Sequence, residues 1–143
     1  TVLTDTTTAI RQFIQQGNDF YYTSTILDVN ASNPGTGAVT RTLTLPTGIN
    51  VVAILNAAIT QGAGTGGTGY LSDLALNDEA PSATAAPLSN VDAAVSTTRY
   101  SGNITVRTNT SAQIRSRLNG SDVDTVLRIA TLGWKDVRGR DAQ

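Results

Sequence analysis

The chain has 143 residues, with 10 basic against 11 acidic side chains and a formal net charge of -1; it fits one domain, which at this size buries roughly two-thirds of its unfolded surface without a covalent staple. It contains no Cys and no His, which removes thiol nucleophiles, disulfides, zinc sites of the usual type and Ser-His-Asp chemistry. The balanced charge argues against nucleic acid as the main partner, because that binding rests on phosphate neutralisation, and no apolar run approaches the roughly 20 residues of a membrane helix. No cofactor is implied, no metal site and no membrane insertion.

Thr is abundant, and with Val, Ile, Ser, Asn and Gly it makes an alphabet of strands and turns. Nine Arg stand beside a single Lys, Lys135, and Glu79 is the only Glu, so exposed helices rich in Glu and Lys are not expected. The absence of Met and the opening at Thr1 suggest a piece of something longer.

Only the beginning reads as helix. Asp5 is a candidate N-cap, Ala9, Ile10, Phe13 and Ile14 fall on one helical face, and Gly17 stops the run. Residues 1–17 are therefore expected to be a short helical connector whose apolar stripe docks on a sheet edge or on a neighbouring subunit. Residues 18–143 are expected to be an all-β domain, an antiparallel, jelly-roll-like β-sandwich of about eight strands.

The apolar period changes to two after Asn18. Residues 20–29 read as a strand, and Asn33-Pro34-Gly35 marks the turn cluster over 30–37. Residues 38–45 alternate, with Val39, Leu43 and Leu45 on one side and Thr40, Thr42 and Thr44 on the other. Arg41 falls on the apolar side, a conflict that a partner or a strand end must resolve. Residues 51–59 run almost continuously apolar and predict a strand covered on both faces, with another sheet or another subunit over the second.

Five glycines in residues 61–69 make a loop; with no Lys after them and no helical pattern following, a phosphate-cradling reading is weak. Residues 70–76 read as a strand, 77–92 as a long polar excursion of the kind that carries binding surfaces, and 93–100 as a short strand. Ile104 and Val106 alternate with Asn103, Thr105 and Arg107, and Ala112, Ile114 and Leu118 with Gln113, Arg115 and Arg117. A three-residue loop, Thr108-Asn109-Thr110, would pair Val106 with Ala112 and Ile104 with Ile114, with Asn109 left-handed. The expected hairpin then presents Arg107, Arg115 and Arg117 on one polar face. Asn119-Gly120-Ser121-Asp122 is the strongest turn, and residues 125–132 form the last clear strand.

Three guanidinium groups on one face suit a phosphate, a sulfate or the carboxylate of an acidic sugar; a solvated face, or pairing with Asp, is the plainer alternative. Tyr21, Tyr22, Tyr70, Tyr100 and Trp134 are the aromatics able to stack on a sugar ring, and Tyr100 joins the arginines in the candidate ligand site. Trp134, flanked by Lys135, Asp136, Arg138 and Arg140, reads as a structural anchor that seals one end within ion pairs. Carboxylate pairs such as Asp122 with Asp124, or Asp78 with Glu79, are what a polysaccharide-degrading enzyme needs, but Asp fills turns readily, so no catalytic residue is assigned and no enzyme is expected.

The runs VRTNTSAQIR over 106–115 and LRIATLGWKDVRGR over 127–140, together with LPTG at 45–48 before an apolar strand, resemble modules of tailed-bacteriophage virion proteins at tail fibres and tail tips. The resemblance covers about two-thirds of the chain and is most specific at G-W-x-D-x-R-G-R. It implies a β-rich, trimeric appendage domain of the virion that contacts a host cell-surface glycan or protein, or other virion proteins; no catalytic residues carry over. The alternatives are a structural adaptor or decoration protein without a host ligand, and an enzyme using an Asp pair.

Overall fold

The computed structural model describes residues 11–61, 67–93 and 100–136, and among these residues it is entirely β, with no helix. The strands are β1 (Phe13–Gln16), β2 (Asp19–Ser32), β3 (Val39–Thr42), β4 (Val52–Thr60), β5 (Gly67–Ser72), β6 (Ser89–Ala93), β7 (Tyr100–Arg107), β8 (Gln113–Leu118) and β9 (Val126–Lys135). They form two sheets, ordered β1-β2-β9-β4-β7 and β3-β8-β5-β6, and every pairing is antiparallel.

The described part of the expected N-terminal helix is a strand. Gly17, at φ 63, makes the tight turn that pairs Gln16 with Asp19 and Phe13 with Tyr22. A helix would set Phe13 and Ile14 on one stripe, but in β1 they face opposite ways. Phe13 packs edge-on against Phe20 and Trp134, at 5.8 and 5.5 Å, while Ile14 is 55% exposed. Asp5, Ala9 and Ile10 lie outside the described residues.

Both sheets turn one face onto a common core. The first supplies Ala53, Leu55, Ala57 and Ile59 from β4, Ile104 and Val106 from β7, and Leu127 and Ile129 from β9; the second supplies Leu71, Val91, Ile114 and Leu118. Burying a side chain of this kind is worth about 1.5–3 kcal/mol, so the period of two in each strand is what holds the sheets together. Arg41 does fall on this inner side of β3, half-buried, and its Nε–H donates to Ser116 Oγ at 2.9 Å. Burial lowers its pKa, and the strand-end position lets the charged group stay partly wet.

The expected hairpin over 104–118 is not formed. β7 and β8 lie in different sheets: Val106 pairs with Ala53 and Ile104 with Leu55, whereas Ile114 pairs with Arg41. The link between them crosses from one sheet to the other and is held by its own polar groups. The backbone N–H and the hydroxyl of buried Thr108 both donate to Val51 O, at 2.9 and 3.2 Å. Asn109 Oδ1 accepts from the backbone N–H groups of Ser111 and Gln113, each at 2.9 Å. The left-handed residue is Ala112, at φ 57, rather than Asn109. Of the expected strand over 93–100, residues 94–99 lie outside the described residues, and β6 begins earlier, at Ser89.

Two irregularities shape the β2/β9 pairing. Asp28 has no register partner between Leu27↔Ala130 and Val29↔Ile129, and this bulge turns its carboxylate inward. There it accepts from Thr44 N at 2.8 Å, Thr44 Oγ1 at 2.6 Å and Thr131 Oγ1 at 2.5 Å. Tyr22 donates its phenol to Thr44 O at 2.7 Å, so β2, β9 and the segment after β3 meet at one polar clip. Near the other irregularity, a Cβ on Gly133 would strike the Phe20 carbonyl, so that close approach requires glycine.

Candidate functional site

The three candidate arginines do not share a face. Arg115 and Arg117 lie on the outer face of β8, and Arg107 lies on β7 in the other sheet. What brings them near one another is the segment 73–88. Arg117 Nη1 reaches Asp78 Oδ2 at 2.6 Å, and Arg115 Nε lies 3.8 Å from Asp78 Oδ1. Arg115 also donates to the carbonyls of Leu76 and Leu74, at 3.0 and 3.4 Å. Arg107 lies 3.7 Å from Asp73, whose Oδ1 accepts from Ala75 N at 2.9 Å and so shapes the turn after β5. The guanidinium groups of β8 therefore hold this chain's own loop. Tyr70, the register partner of Arg117, is 4% exposed yet lies outside the main core, as expected if that segment closes over the outer face of the second sheet.

Tyr100 is placed only by its backbone, paired with Ile59; its side chain lies outside the described residues. Trp134 is buried in a four-ring cluster, stacked on Phe20 at 5.0 Å and tilted against Tyr22 at 5.5 Å. Its expected ring of ion pairs is represented by Lys135 Nζ to Asp19 Oδ1 at 3.3 Å; Arg138 and Arg140 lie outside the described residues. Asp122 Oδ1 accepts from Asp124 N and from Thr125 Oγ1, both at 2.9 Å, which is the bonding of a turn. Among the described residues no three acidic side chains converge as a metal site would need.

Two concavities stand out among the described residues. A cleft of about 240 Å³ opens between the sheets beside β7, lined by Leu71, Ser72, Asp73, Ser89, Thr105 and Arg107 among others, with the Arg107–Asp73 pair at its rim. A hollow of about 210 Å³ lies on the outer face of the five-stranded sheet, over Asn56, Ala58, Arg128 and Ala130, with Thr25, Leu27 and Leu132 around it. Sequence patterning pointed toward this second face through the almost continuously apolar run of β4, but Leu27 and Arg128 join it only through the strand order. The burial of Tyr22 and the nearby Asp28 carboxylate push the phenol's pKa well above its ordinary value, so Tyr22 is a neutral donor rather than a reactive group.

Compared with protein-family models, with curated proteins and with solved structures, the chain matches none.

Proposed function

We propose that the chain is a structural module of a tailed-phage virion appendage that works by contact and assembly, as a homotrimer, rather than by a reaction. The strand order carries this reading. Leaving β1 aside, the orders β2-β9-β4-β7 and β3-β8-β5-β6 support reading the two sheets as an eight-stranded jelly roll, an architecture used by viral capsid proteins. That inference is by analogy of fold, and the resemblance of the 106–115 and 127–140 runs to tail-fibre and tail-tip modules supports it independently. The engagement of Arg115 and Arg117 by Asp78 favours an adaptor over a module that reads an acidic glycan with those arginines.

A specific observation sustains host-surface recognition as the second reading. Arg107 has a loose ion pair, 3.7 Å, and a side chain 58% exposed, at the rim of the inter-sheet cleft, where its guanidinium can exchange Asp73 for a ligand carboxylate or hydroxyl groups. Labelled protein offered to virion components and to host cells separates the two. Binding confined to virion components is expected; binding to cells that Arg107→Ala abolishes would replace the adaptor reading with recognition. A monomeric mass in light scattering at micromolar concentration would remove the trimer, and shortened chains after incubation with capsular polysaccharide would replace both readings with the enzymatic one.

A further inference from the structure

The two outer faces of the molecule are unlike. That of the four-stranded sheet is charged and holds the chain's own 73–88 segment through Arg115 and Arg117. That of the five-stranded sheet carries a band of apolar side chains crossing its strands: Ile14 and Tyr21, 55% and 36% exposed, Ile54 beyond Gly133, and then Leu27, 56% exposed, beside Ala130. An apolar band of this kind bounded by charge is the pattern of a binding face. The Asp19–Lys135 pair bounds it at one end, and Arg128, with no acidic partner among the described residues, lines the hollow beside its register partner Ala58.

We propose that this face, centred on the hollow over Ala58 and Ala130, is where a second copy of the same chain docks. The inference rests on the assembly reading above and names the surface that performs it. Two observations identify the occupant. The first is shape: the patch carries an exposed leucine, Leu27, on the wall of a hollow of about 210 Å³ that is lined also by Ala58, Ala130 and Leu132 and by the polar Asn56 and Arg128. Each copy thus carries a projection and a recess at different points of one face, so that around a three-fold axis Leu27 of one copy can meet the recess of the next, the heterologous contact by which a ring of identical chains closes. The second is area. Nine residues of β4 at about 3.3 Å each, across five strands spaced about 4.8 Å, give a face of roughly 700 Å² before side-chain relief is counted, close to the roughly 800 Å² per partner of a stable interface. The half-buried outward residues of β4, Val52, Ile54 and Asn56, would then be covered as their sequence leads one to expect.

The absence of Cys makes the test direct. Leu27→Cys should be captured as a covalent copy-to-copy adduct by a short bismaleimide, whereas Val123→Cys, on a turn and 81% exposed, should react without linking copies. Leu27→Arg, at a site already open to water, should keep the native circular dichroism spectrum and weaken association at least tenfold in sedimentation. If the wild-type chain associates while Leu27→Arg associates equally and Leu27→Cys does not cross-link, the surface is refuted and the assembly reading stands. If the wild-type chain is monomeric but still binds virion components, the surface is again refuted and only the adaptor role survives.

Discussion

Asp28 shows how one side chain ties three segments together. A carboxylate in mid-strand is normally a liability, yet the bulge in β2 turns it toward two hydroxyls and a backbone N–H, and charge-assisted bonds of this kind are stronger than neutral ones. Asp28→Ala leaves the Thr44 amide and the Thr131 hydroxyl to find new partners in a confined space; we expect a loss of about 1–3 kcal/mol, read as a lower urea midpoint with unchanged slope. Tyr22 belongs to the same clip and gives a pH prediction. Its folded-state pKa is raised above the unfolded value by burial first and by Asp28 second, so its contribution is complete below about pH 10 and declines as pH rises beyond it. Alkaline titration of stability should show a fall starting near pH 10 that is smaller in Tyr22→Phe, whose stability at neutral pH is lower by the lost bond to Thr44 O. An equal alkaline slope in the two proteins would place the titrating group elsewhere.

At the scale of elements, alternation within a strand identifies which side chains point inward but not which strand lies alongside. Ile104, Val106, Ala112, Ile114 and Leu118 are all buried, as their spacing predicts, and they would have been buried equally in the hairpin that does not form. In the crossing that forms instead, Thr108 is tied to Val51 ahead of β4 while Asn109 closes a local turn onto Gln113 at the start of β8, bonds that no apolar alternation announces. The N-terminal strand was hidden for a related reason: Ile10, Phe13 and Ile14 satisfy a helical spacing, and only pairing with β2 reveals the period of two. The segment after β5 illustrates how a polar stretch gains a place without a strand of its own. Asp78→Ala should cost little stability, since ion pairs with partners this exposed are worth under about 1 kcal/mol. It should nonetheless speed limited proteolysis within 73–88 severalfold, because Arg115 and Arg117 lose their shared acceptor. An unchanged digestion pattern would mean that the carbonyl contacts of Leu74 and Leu76 suffice.

Over the whole molecule, the division of labour between the faces follows from where charge was placed. Arginines on β8 recruit the chain's own loop, while the outer positions of β2, β9 and β4 hold Leu27, Ala130, Leu132, Ile54 and Ala58 beside Thr25, Asn56 and Arg128. That second set was only half legible: the almost continuously apolar run of β4 predicted a second covered face, but its neighbours come from residues about 30 positions before and 70 after it, and strand order alone unites them. Because the sheets' outer faces lie on opposite sides of the core and share no partner residue, perturbations at them should be independent. Combining Asp78→Ala with Leu27→Arg should therefore give the proteolysis rate of the first and the association constant of the second, each unaltered by the other. Coupling between them, such as weaker association in Asp78→Ala alone, would mean that the 73–88 segment itself contributes to the contact between copies, and the docking surface would have to be redrawn around the edge formed by β6 and β7.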